Sequence, residues 1–85
     1  MRVGVQFTGS VPAGQTRRWF TYGWPASWHV VWHVVTTAPV PGDAPEVQWD
    51  VQVERASATE ITYWVSVTNV TASPLNFEAR YAVLN

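Results

Sequence analysis

The stretch Val47-Gln48-Trp49-Asp50-Val51-Gln52-Val53-Glu54 decides the fold. Its odd positions are apolar and its even positions polar, the period of a strand with one dry and one wet face; the three- and four-residue spacings of a helix are absent. Working toward the C-terminus, Ile61, Tyr63, Val65 and Val67 alternate with Glu60, Thr62, Trp64, Ser66 and Thr68. After Ala72-Ser73-Pro74, Phe77, Ala79, Tyr81 and Val83 alternate with Asn76, Glu78 and Arg80. These segments read as three consecutive antiparallel strands. Working toward the N-terminus, Ala38 to Pro45 holds Pro39, Pro41, Pro45 and Gly42 and reads as the link between two sheets. Before it come a strand from Trp28 to Thr37, one from Thr16 to Tyr22 that stops at Gly23-Trp24-Pro25, and one through Val3, Val5 and Phe7 broken by Gly9 to Gly14. Six short strands predict an all-β fold: a six-stranded antiparallel β-sandwich or barrel-like sandwich, with two sheets of about three strands, one from each half.

The chain has 85 residues, which bounds it to a single domain over 1–85. With no cysteine it has neither disulfides nor a thiolate metal site, so self-association is the remaining device for stabilising so small a core. Hydrophobic residues are 47% and charged residues 13%, which excludes a disordered tail. A net charge of −1 gives no electrostatic footprint for nucleic acid or anionic membrane. No stretch has the length of a membrane span, and Met1 to Gln6 is too polar to open a signal peptide, so the expected localisation is cytoplasmic, or unknown if the chain is a module cut from a longer one. All five basic residues are arginine, a usage expected of a GC-rich bacterial genome. Six tryptophans in so short a chain are the main functional clue.

Ile61-Thr-Tyr-Trp-Val-Ser-Val-Thr-Asn-Val-Thr-Ala-Ser-Pro-Leu-Asn-Phe-Glu-Ala-Arg-Tyr-Ala-Val-Leu84 resembles the closing hairpin of bacterial immunoglobulin-like or fibronectin-III-like modules. The resemblance covers about a quarter of the chain and implies a sandwich without catalytic function. It carries no site residue with it.

Register follows from parity, because a slip of one residue exchanges the two faces of a strand. A three-residue turn at Ser57-Ala58-Thr59 sets Val53 opposite Tyr63 and Val51 opposite Val65 inside, with Gln52 opposite Trp64 and Asp50 opposite Ser66 outside. The same rule applied to the last hairpin sets Tyr63 opposite Tyr81 inside and Trp64 opposite Arg80 outside. Gln52, Trp64 and Arg80 then form one outer row, with Asp50, Ser66 and Glu78 in the next. An indole among amide, guanidinium and carboxylate groups suits a sugar, whose C–H face stacks on the ring while its hydroxyls take the polar partners. Trp24, in the turn before Pro25, and Trp19, out of phase with Phe20 and Tyr22, are further candidate contacts at the surface. The bland alternative makes Trp64 and Arg80 a stiffening cation–π pair and folds Trp24 and Trp19 back as caps. Trp28, Trp32 and Trp49 take the dry parity of their strands and belong to the core.

Catalytic and metal patterns are wanting. His29 and His33, roughly 13 Å apart on a strand, cannot share a metal. Asp50 and Glu78, flanking Ser66, approach the separation of a glycosidase pair but lie on a wet face with nothing to raise a pKa. Arg17-Arg18-Trp19-Phe20 is too short a basic and aromatic run for single-stranded nucleic acid. Asn69-Val70-Thr71 matches a glycosylation acceptor, relevant only to a secreted eukaryotic protein. The strand from Trp28 is apolar on both faces, Val31 and Val35 lying opposite Trp32 and Val34, and a two-layer sandwich covers the second face only with a loop or another subunit. The sequence therefore points to a non-catalytic, glycan-binding module without metal or organic cofactor, a homo-oligomer with no membrane or nucleic-acid partner. The alternative is a structural, self-associating protein whose tryptophans fill subunit interfaces.

Overall fold

A computed structural model describes residues 1–40 and 42–85. Six strands run β1 (Arg2–Val11), β2 (Thr16–Pro25), β3 (Val30–Ala38), β4 (Val47–Arg55), β5 (Glu60–Asn69) and β6 (Leu75–Val83). They form two three-stranded antiparallel sheets, ordered β1-β6-β3 and β2-β5-β4, packed as an open sandwich. Of the loop expected over 38–45, Pro41 lies outside the described residues. Its flanks do connect the two sheets, from β3 to β4.

The β4–β5 hairpin has the expected register, with Val51 opposite Val65, Gln52 opposite Trp64 and Val53 opposite Tyr63. The turn fixes it: Ala56 N donates to Glu60 O at 3.1 Å, and Ser57 Oγ accepts from the amides of Thr59 and Glu60 at 3.2 and 3.1 Å. The next connection departs from expectation. β6 leaves β5 and becomes the centre of the opposite sheet, between β1 and β3, so Ile61 to Leu84 is an arch between layers and not a hairpin. Tyr81 therefore lies opposite Gly4 and Trp32 instead of Tyr63, and each sheet draws on both halves of the chain.

Other differences are local. β1 continues past Gly9 to Val11, because Gly9 lies under the rings of Trp19 and Phe77 and is a packing glycine and not a breaker. β2 passes through Gly23, where a register shift between Thr21 and Trp24 keeps both side chains pointing inward. β3 begins two residues after Trp28, at Val30.

Val11, Val65, Val67, Phe77, Ala79 and Val83 are the driest part of the core. Two aromatic clusters flank it. In one, Phe7, Trp19 and Phe77 pack with centroids 4.9–6.1 Å apart. In the other, Trp24, Trp32, Tyr63 and Tyr81 meet largely edge to face, and Trp28 touches Trp24. Burying such rings is how a small cysteine-free chain acquires apolar area. Polar groups tie the layers together: Thr21 Oγ accepts from Gln6 Nε2 and from Trp24 Nε1, each at 3.1 Å. Near the other end, Thr36 Oγ donates to Glu46 Oε1 at 2.7 Å.

Trp49 corrects another expectation. It has the dry parity, but β4 is an edge strand, and Trp49 is 39% exposed, its ring 6.4 Å from that of the exposed His33. Val53, two turns of the pleat further along the same face, is 64% exposed.

Candidate functional site

The outer face of the β2-β5-β4 sheet gathers the aromatic and polar side chains that lie in water. Three rows cross it: Thr16, Thr68 and Gln48; Arg18, Ser66 and Asp50; Phe20, Trp64 and Gln52. Strand parity produces this, since Thr16, Arg18 and Phe20 all point away from the core once Trp19 points into it. Phe20 is 57% exposed and Tyr22, beside it, 74%. Their rings stack at 6.2 Å with 29° between planes, and Phe20 lies 5.1 Å from the half-buried Trp64. Tyr22, Phe20 and Trp64 are therefore one continuous aromatic strip.

Polar groups border it. The Arg18 guanidinium lies 4.3 Å from the centroid of Trp64, and Trp64 Nε1 donates to Glu54 Oε1 at 2.7 Å. Gln52 extends the Trp64 row, and Asp50 the Arg18 row. Next to them, Gln48, Asp50, Ser66 and Thr68 help line a shallow open depression of about 440 Å³. Rings, amide, guanidinium and two carboxylates share one flat, wet surface that can stack an apolar plane and bond hydroxyls around its rim.

Of the residues singled out in the sequence, Trp64, Gln52 and Asp50 come together here. Arg80 does not: it lies on the outer face of the other sheet, opposite Val5 and His33, and pairs with Glu78 at 2.9 Å. The basic partner of Trp64 is Arg18 instead. Asp50 and Glu78 likewise belong to opposite faces of the molecule and cannot act on one bond. Trp24 is 8% exposed and lies in the core with its N–H satisfied by Thr21. Trp19 is half-buried and stacked on Phe7. Both point inward, where their area stabilises the sandwich.

Sequence reasoning missed Arg18, Phe20, Tyr22 and Glu54. The signal for three of them was the parity of Thr16, Arg18, Phe20 and Tyr22, obscured because β2 carries aromatic residues on both faces. His29 and His33 are exposed, and among the described residues no group of three or more potential metal-binding side chains is present. Among them, too, no helix is long and apolar enough to cross a membrane. The sequon residue Asn69 is buried, with its amide engaged on both sides.

Comparison with known proteins finds no matching family model, no matching curated protein and no matching solved structure.

Proposed function

We propose that the chain is a non-catalytic, glycan-binding module whose ligand lies across the outer face of the β2-β5-β4 sheet. The observation that carries this reading is the pair of solvent-facing, stacked rings of Phe20 and Tyr22 continuing into Trp64. Single exposed apolar residues are ordinary, but a contiguous exposed aromatic patch marks a contact surface, and these three rings are contiguous. A pyranose stacks its C–H face on Phe20 and Tyr22, while Gln52, Asp50 and Arg18 offer an amide, a carboxylate and a guanidinium to its hydroxyls. A single ring contributes roughly 1 kcal/mol beyond area burial, so one site is weak, with Kd of roughly millimolar order.

A glycan array tests the reading with the parent and the double variant Phe20→Ala/Tyr22→Ala. Both side chains lie outside the core, so the variant stays folded with a modest fall in its unfolding midpoint and loses binding. A parent that binds no glycan, or a variant that binds as well as the parent, removes the proposal.

The alternative, tryptophans reserved for subunit interfaces, finds less support. Trp24 and Trp32 are buried in the protomer's own core, and Trp19 and Trp28 pack against it.

A further inference from the structure

We infer that the free edge of β4 pairs antiparallel with β4 of a second copy about a two-fold axis through Val51, joining two sheets into one six-stranded sheet. Four strands are edges, and three of them carry devices that discourage pairing. β1 has a register shift between Val5 and Phe7, and β3 has one between Thr36 and Ala38. β2 has one between Thr21 and Trp24 and ends on Pro25. β4 has none: Val47 to Arg55 pairs without interruption with β5 and contains no proline. It is the uninterrupted edge, and the charges it carries, Asp50, Glu54 and Arg55, meet neutral side chains in the pairing proposed.

Its backbone is set for the addition. Ala56 N donates to Glu60 O, and Val70 N to Glu46 O, so the even-numbered residues of this ladder are bonded to β5. The odd-numbered residues Val47, Trp49, Val51, Val53 and Arg55 turn their amides and carbonyls outward. Paired about Val51, they form about ten hydrogen bonds between two copies.

The side chains select the register. Opposed residues must share a face, so paired numbers sum to an even value. Centred on Val51, Asp50 faces Gln52 of the second copy and Gln48 faces Glu54, with no like charges opposed. Trp49 faces Val53, so the two apolar side chains that β4 leaves most exposed on its sandwich side cover one another. A shift to a centre on Asp50 sets Asp50 against Asp50. A shift to a centre on Gln52 sets Asp50 against Glu54. Only the Val51 centre satisfies the charges and the apolar pair with all nine residues engaged.

The pairing stands without the glycan reading, but it deepens it. Both aromatic strips fall on the same face of the joined sheet, roughly 15 Å apart across three strand spacings, with Gln48, Asp50, Gln52 and Glu54 of both copies as a polar floor between them.

Sedimentation equilibrium of the parent, of Val53→Pro and of Gln48→Glu tests the inference. Val53 directs its N–H to the free edge, so proline there removes no bond to β5. Gln48→Glu sets a second carboxylate against Glu54 of the other copy. The parent is expected to be dimeric, and each variant to dissociate at least tenfold more readily while keeping its far-ultraviolet spectrum. Should Val53→Pro unfold, Gln48→Glu alone decides. In a second experiment, Val51→Cys, a pair about 5.5 Å apart across the axis, is expected to cross-link on oxidation, while Val47→Cys is not. A parent that stays monomeric at millimolar concentration overturns the inference. So does a dimer that survives Gln48→Glu but is dissolved by Val31→Glu on the opposite sheet.

Discussion

The guanidinium of Arg18 lies 4.3 Å from the ring centroid of Trp64, on neighbouring strands of one sheet. The two charges nearest the indole divide its surface: Arg18 takes a face, and the Glu54 carboxylate takes the N–H at the edge. A double-mutant cycle of Arg18→Ala and Trp64→Phe, read by urea denaturation, is expected to give a coupling of about 0.5–1 kcal/mol. Zero coupling means that the cation leaves the ring free for other stacking partners.

Gly9 is fixed by what lies above it. A Cβ built there meets Trp19 at 2.9 Å and Phe77 at 3.0 Å, inside the first aromatic cluster. Gly9→Ala is expected to cost about 1–3 kcal/mol through displaced rings, seen as a lower denaturation midpoint. Gly14→Ala is the contrast, with open space around it but a φ of +69°, and is expected to cost only about 1 kcal/mol in backbone strain. Equal effects at the two sites contradict this packing.

Asn69 is 1% exposed, and its Nδ2 donates to Val11 O at 3.0 Å and to Ser73 O at 2.7 Å. Its Oδ1 accepts from the amide and hydroxyl of Thr71. Asn69→Ala is expected to cost about 3 kcal/mol, since it removes four hydrogen bonds made by one buried side chain. A fall in the urea midpoint no larger than that of Asn76→Ala, at an exposed position of β6, contradicts this geometry.

Burial pushes the Tyr63 phenol above its ordinary value. The folded phenol keeps its proton to higher pH than the unfolded one, so Tyr63 contributes stability that is fully present below about pH 10 and is lost as pH rises beyond it. Thermal unfolding from about pH 9 to pH 11 is expected to show this fall in the parent and a smaller one in Tyr63→Phe. Parallel curves refute the assignment.

Alternation made the strands legible, and the short Ser57-Ala58-Thr59 turn made the β4–β5 register legible, because both are local. Parity also gave the correct inward set for Phe77, Ala79 and Val83. It could not say which sheet receives them, since a strand's dry face is dry in either layer. That ambiguity misplaced Arg80 beside Trp64. Trp24 was obscured for another reason: the irregularity after Thr21 resets the phase, so its inward position does not follow from Phe20 and Tyr22. Trp49 had the right face but the wrong exposure, which depends on how far the opposing sheet extends over an edge.

The pairing scheme also has a consequence for synthesis. Among the described residues each of the four ladders includes β5 or β6, which follow the other four strands in chain order. While a ribosome has translated only the residues before Glu60, the four strands already emerged have no partner to bond, and their five tryptophans have no core to enter. Folding must wait for the final segment and then proceed cooperatively, as expected of a topology dominated by distant pairings. A nascent chain stalled before β5 is expected to be fully protease-sensitive, and the molecule has no smaller half that stands alone.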